Sequence, residues 1–289
     1  MSFNVDWVDA FTDRAFGGNG CAVVHDGAGL DDATCMAFVQ ETSLVECTFT
    51  GPSDVADIRV RYFLASREIP FAGHPTVATV AALRHRGLVS DGSLTLETGA
   101  GIVPVDVDGM SVRMTQVAPK FGVRPDPALV AAVGGVPVDA IVHPPRVVST
   151  GLPFTITVLK DRATLEQVRF NMDAFQTYLD TLGVHGTDVM EPFWCTREGA
   201  TDAGDTLARL LMAPPSPPED PFTGSATGAM AAYLWSEELI DDPDFVAEQG
   251  HVLGRPGRAH VSVQGPRDAI SGVIVEGKAH ILMSGQLHL

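Results

Sequence analysis

The stretch Glu68-Ile69-Pro70-Phe71-Ala72-Gly73-His74-Pro75-Thr76-Val77-Ala78-Thr79-Val80-Ala81 returns 151 residues later as Glu219-Asp220-Pro221-Phe222-Thr223-Gly224-Ser225-Ala226-Thr227-Gly228-Ala229-Met230-Ala231-Ala232. Seven positions are identical. Two of these are alanines, which any two Ala-rich helices share. The pattern Glu-x-Pro-Phe-x-Gly-x-x-Thr is not explained that way, and self-similarity at one fixed offset reads as duplication. Both copies have one physical form, a Pro-Phe-x-Gly turn feeding an apolar helix, over His74 to Arg86 and Ser225 to Glu238. A helix apolar nearly all round is a buried helix. Gly87 stands where a C′ glycine stops the first one. The many short strand-like runs on either side are what can wrap such helices. The expected fold class is therefore α+β: two pseudo-symmetric halves, each a curled mixed sheet around a central helix.

Outward from the repeat, the first half reads as strands at Phe3 to Phe11, Cys21 to His25, Val45 to Thr50, Ile58 to Leu64, Ser93 to Thr98, Ile102 to Asp106 and Ser111 to Thr115. These runs are apolar or alternating and are bounded by turn residues. Gly17-Gly18-Asn19-Gly20 is a turn, and Asp31 or Asp32 starts a helix running to Gln40. A break near Ala118-Pro119 separates the halves. The second half reads as strands at Ile141 to His143, Val147 to Ser149, Phe154 to Leu159, His260 to Val263 and Ala269 to Val275, with a helix over Asp173 to Leu182. Met212 to Pro221 holds five prolines and reads as a stiff extended loop. The last strand, Ala279 to Leu287, is expected to return to the first half. The domains are then 1–118 with 279–289, and 119–278, with the active site in the cleft between them.

Composition bounds the partners. The 289 residues carry a formal charge of −17, and 45% of them are hydrophobic. The isoelectric point is about 4.7 and the mean hydropathy +0.14. An acidic surface argues against nucleic acid, whose phosphates need a basic face, and against an anionic membrane. No apolar run approaches the length of a membrane span. Met1 to Asp9 has no basic start followed by an apolar stretch, so no secretory signal is read there. Cys21, Cys35, Cys47 and Cys195 form neither a C-x-x-C pair nor a zinc spacing and read as reduced thiols. A cytoplasmic protein is expected. Gly17-Gly18-Asn19-Gly20 is not G-x-G-x-x-G and no Gly-Lys-Ser/Thr follows, so no nucleotide cofactor is expected, nor a metal.

An acidic chain repels an anionic substrate at long range, so a site for one needs local positive potential. Helix starts supply it, because their first N–H groups lack internal partners and carry the positive dipole end. Glycine there allows close approach of a ligand. Gly73-His74 and Gly224-Ser225 are thus two candidate anion sites. The copies differ where chemistry would enter: Ile69 against Asp220, and His74 against Ser225. On the residues alone, Asp220 either orients a substrate or caps a turn, and Ser225 either caps its helix or donates to a substrate carboxylate. His74 is either structural or bonded to substrate or to Asp220. Glu46 sits in the apolar run Leu44 to Phe49, where alternation leaves it facing solvent or core. Thr223 and, more weakly, Asn19 complete the candidate binding set.

At these residues the chain resembles the PhzF family of phenazine-biosynthesis isomerases. The resemblance runs over the whole length. It is carried by Asp9-Ala10-Phe11, Phe16-Gly17-Gly18-Asn19-Gly20, Ser43 to Phe49, Arg61-Tyr62-Phe63, Pro70 to Thr76, Ser149 to Phe154, Glu219 to Ala226, and Glu248-Gln249-Gly250 with Gly254-Arg255-Pro256. It implies the diaminopimelate-epimerase-like fold, a homodimer, and a cofactor-independent isomerase with Glu46 as catalytic acid/base. The implied substrate is a small cyclic carboxylate such as trans-2,3-dihydro-3-hydroxyanthranilate. Two departures bear on specificity: Ser43-Leu44-Val45 where the family usually has Asn-Leu-Ser, and Ala72-Gly73-His74-Pro75-Thr76 where it more often has Cys-Gly-His-Ala-Thr. No cysteine stands at either helix start, which disfavours the two-thiol mechanism of related racemases. The rival readings are an amino-acid-like epimerase using carboxylates and a non-catalytic binding protein that keeps the cleft.

Overall fold

Each repeated segment becomes the same piece of structure at the same place in the same topology. The computed structural model describes residues 1–184, 186, 190–214 and 216–289. The chain divides into two units, one of Met1–Thr115 with Glu276–Leu289, the other of Gln116–Val275.

The first unit runs β1 (Ser2–Ala10), β2 (Asn19–Val24), α1 (Asp32–Thr42), β3 (Cys47–Gly51), β4 (Ile58–Phe63), β5 (Glu68–Ile69), α2 (Gly73–His85), β6 (Gly92–Thr98), β7 (Gly101–Asp108) and β8 (Ser111–Val117). β2 is parallel to β3, β3 antiparallel to β4, and β4 lies antiparallel to β5 and parallel to β6. The second unit runs β9 (Lys120–Phe121), α3 (Pro127–Gly134), β10 (Arg146–Ser149), β11 (Pro153–Val158), α4 (Arg162–Gln167), α5 (Met172–Leu182), β12 (Pro192–Thr196), β13 (Thr206–Leu211), β14 (Glu219–Asp220), α6 (Gly224–Ser236), β15 (Asp244–Gln249) and β16 (Gly257–Gln264). Its pairings are the same: β11 parallel to β12, β12 antiparallel to β13, and β13 antiparallel to β14 and parallel to β15. The last strand, β17 (Gly272–His288), pairs antiparallel with β1.

The duplicated helices are the centres of their units. Every residue of α2 from Gly73 to Leu83 is buried, and α6 is buried from Ala226 to Leu234. α2 packs on β1, β2 and β3, and α6 on β10, β11 and β16. Burial of this kind leaves no face for water, which is why these helices carry Ala, Val and Gly and almost no charge. The threonines of α2 are satisfied locally: Thr76 and Thr79 donate to the carbonyls of Ala72 and Pro75, and meet Tyr62 and Thr48 at 2.8 and 2.6 Å. Outer helices cover the far faces. α1 brings Cys35 and Val39 onto Ala22, Phe49 and Phe63. In the second unit Val130 and Val133 of α3 and Phe175 and Tyr178 of α5 close over Trp194 and Leu211.

Several elements differ from the reading of the sequence. Both central helices begin one residue earlier, at Gly73 and Gly224. Ile141 to His143 is not a strand; Ile141 makes one isolated bridge to Leu159. The two final strands are one 17-residue strand. Gly277 lies within it and is required by close packing: a Cβ there would lie 2.3 Å from the Phe11 ring. The proline-rich stretch contains β14, because Glu219 and Asp220 pair with Leu211 and Leu210; its Pro215 lies outside the described residues. α3, α4, β12, β13 and β15 have no counterpart among the predicted elements. Glu46 is not in a strand but in the connection immediately before β3.

Candidate active site

In the first unit three of the candidate side chains meet at the start of α2. The N-cap, Ala72, has no side chain able to cap, so the first N–H groups of α2 are left to other partners. His74 is the second residue of the helix and 4% exposed. Its Nδ1 lies 3.1 Å from the Asn19 amide nitrogen and 3.4 Å from Glu46 Oε2. Asn19, at the start of β2, is also buried. Glu46 keeps 14% of its side chain exposed, which is the access a proton-transferring group needs. Burial pulls His74 down to a pKa of about 3, partly opposed by a bond to the backbone of Gly20. The imidazole is therefore neutral at neutral pH, and its contact with Glu46 is not an ion pair.

In the second unit the acidic member of the repeat is built into a polar network. Asp220 is buried on β14, and its Oδ2 accepts from the Thr223 hydroxyl at 2.6 Å. Thr223 is the N-cap of α6, yet its hydroxyl serves Asp220 rather than the helix. Gln249, at the end of β15 and 1% exposed, accepts from the Thr223 backbone N–H at 3.0 Å. Its amide nitrogen donates to the Asp220 carbonyl at 2.8 Å and to the Thr223 hydroxyl at 3.2 Å. Gly224 is the first helical residue, and its carbonyl accepts from Gln116 at 2.9 Å. Thr150 in turn donates to Gln116. Ser225, half-buried, is the second helical residue and not the cap.

The structure thus gathers Glu46, His74, Asn19 and Gly73 at one helix start, and Asp220, Thr223, Gly224 and Ser225 at the other. The reading of the sequence missed Gln249, Gln116 and Thr150. Gln249 had a signal: Glu97-Thr98-Gly99 stands 151 residues before Glu248-Gln249-Gly250, so the repeat extends into β6 and β15. Thiols are poor candidates here. Burial pushes Cys47, next to Glu46, up to about 12, and raises the Cys21 thiol as well.

A buried helix wrapped by a mixed sheet, repeated twice with polar groups at each helix start, defines a protein of the diaminopimelate-epimerase-like class. Residues 8–285 match the family described as phenazine biosynthesis-like protein, PhzC-PhzF. An uncharacterized isomerase of Pseudomonas aeruginosa, PA2770, is 31% identical over 289 residues, 100% of each chain. An uncharacterized isomerase of Deinococcus radiodurans is 31% identical over 96% of this chain and 92% of its own. Among solved structures, a PhzF-family phenazine biosynthesis protein of Bacillus anthracis superposes with a TM-score of 0.89 at 28% identity over 100% of both chains. A hydroxyproline epimerase of Agrobacterium vitis, 13% identical over 99% of this chain and 91% of its own, shares the fold with a TM-score of 0.64. The chain belongs to the PhzC/PhzF family, and it is an isomerase.

Proposed function

We propose that this isomerase moves a proton between carbons of a small cyclic carboxylate such as trans-2,3-dihydro-3-hydroxyanthranilate, with Glu46 as the acid/base. The supporting observation is the approach of Glu46 to a buried, neutral His74 held by Asn19 at an uncapped helix start. The Glu46 carboxylate takes a proton from one ring carbon and returns it to another as the double bonds shift. The enol so formed then relaxes to the ketone. His74, being neutral, adds no charge beside Glu46 and does not stabilise its ionised form as a cation would. The N–H groups of α2 and α6 carry the substrate carboxylate, which an acidic chain holds only where helix dipoles outweigh the surrounding field. Asp220 orients the substrate amine or hydroxyl.

Glu46→Gln tests the assignment. Turnover of the dihydro-hydroxyanthranilate should fall by about 10²- to 10⁴-fold, while ligand affinity stays within about tenfold, because a general acid/base acts on the barrier. Unchanged turnover would refute it. In heavy water, deuterium should enter a ring carbon together with a shifted double bond. Deuterium entering a stereocentre with no change of bond order would replace this reading with epimerisation.

A further inference from the structure

The amide of Gln249 has no ambiguity of orientation. Its oxygen faces the Thr223 backbone N–H, which can only donate. Its nitrogen therefore faces the Asp220 carbonyl and the Thr223 hydroxyl oxygen, and donates to both. That hydroxyl, already accepting from Gln249, has its one proton directed at Asp220 Oδ2, 2.6 Å away. The chain of bonds runs one way: Gln249 to Thr223 to Asp220. All three residues are at least nine-tenths buried, so water does not readily compete for these bonds.

We propose that Gln249 is a positioning residue for Asp220, acting through Thr223 so that Oδ2 stays an acceptor and any proton Asp220 exchanges is carried on Oδ1. The proposal rests on the assignment of Asp220 to substrate contact made above. A second, independent observation supports it. The positions 151 residues earlier are Ile69, Ala72 and Thr98. None of these can take part in such a relay at its place, and Thr98 turns its hydroxyl to the Gly101 carbonyl instead. The first copy of the repeat lacks the acid, its donor and the amide together, as expected if the three work as one device.

Thr223→Val breaks the relay while leaving both backbone bonds of Gln249 in place, and Thr223→Ser restores it. Gln249→Glu removes the amide donor but keeps an oxygen for the Thr223 N–H. The expected result is a loss in kcat/KM of about 10- to 100-fold for Thr223→Val and Gln249→Glu, with the acidic limb of the kcat/KM–pH profile displaced to higher pH. Thr223→Ser, which keeps the hydroxyl, should recover most of the rate that Thr223→Val loses and return the acidic limb to its wild-type position. A purely structural role would lower thermal stability in Thr223→Val and Gln249→Glu without moving the profile, and that outcome overturns the proposal. If Glu46→Gln retains activity while the profiles shift as described, the relay stands and the assignment of Glu46 fails.

Discussion

At the scale of single residues, His74 joins burial, charge and chemistry. An unfolded histidine titrates near 6.5, whereas burial brings His74 to about 3. Between those values the unfolded chain binds the extra proton, so His74 contributes stability above about pH 6.5 that is lost as pH falls through the window. The full effect amounts to about 5 kcal/mol. His25 is depressed by burial too and acts in the same direction. Urea unfolding midpoints of His74→Gln should therefore fall less steeply than wild type between pH 6.5 and 4. Parallel curves would show that His74 is not held neutral by the fold. Glu46 carries the complementary lesson. Alternation along Leu44 to Phe49 left its direction open, and it proves to stand outside the strand, where the chain turns toward His74.

At the scale of elements, the two central helices end as revealingly as they begin. Arg86 and Glu237, 151 residues apart, are the C-caps of α2 and α6. Arg86 grips the fully buried Asp6 of β1 with two bonds of 2.5 and 2.8 Å, and His25 and Ser284 reach the same carboxylate. At Glu237 the charges are reversed: Arg124, Arg146 and His143 surround a carboxylate. A cation suits a helix C-terminus and an anion does not, so Glu237 depends on its arginines. Truncation should nevertheless cost more at the first site. Arg86→Met leaves a buried carboxylate short of its cation and should cost about 3–5 kcal/mol. Glu237→Gln leaves partly exposed arginines that water can serve, and should cost about 1 kcal/mol. Equal losses in urea denaturation would contradict this. In the same helix, Gly228→Ala would ordinarily stabilise by about 1 kcal/mol. Here the added carbon would lie 1.9 Å from Gln116 Oε1 and dislodge the bonds of that amide to Gly224 and Thr150. Its effect should be a loss of stability and of substrate affinity.

At the scale of the whole molecule, a formal charge of −17 acts on any anionic substrate before contact. Salt screens that repulsion over about 10 Å at 0.1 M. For the proposed carboxylate substrate, kcat/KM should accordingly rise about two- to fivefold between 10 and 150 mM NaCl, through association and not through kcat. A fall with salt would mean that local positive potential, not net charge, governs approach. No helix among the described residues is long and apolar enough to cross a membrane.

Features that act over short spans of chain are legible in the residues alone. Hydrophobicity on every side of His74 to Leu83 and of Ala226 to Leu234 required those helices to be buried, and strand-like runs around them supplied the wrapping. The 151-residue offset made the second helix predictable from the first, and the glycines marked both helix starts. Which side chains meet at those helix starts depends on the folded chain. Asn19 reaches His74 across 55 residues and Gln249 reaches Thr223 across 26. Such pairings have no period and no local propensity. They exist because strand register places distant residues side by side, and register is settled by packing of the assembled sheet on its helix.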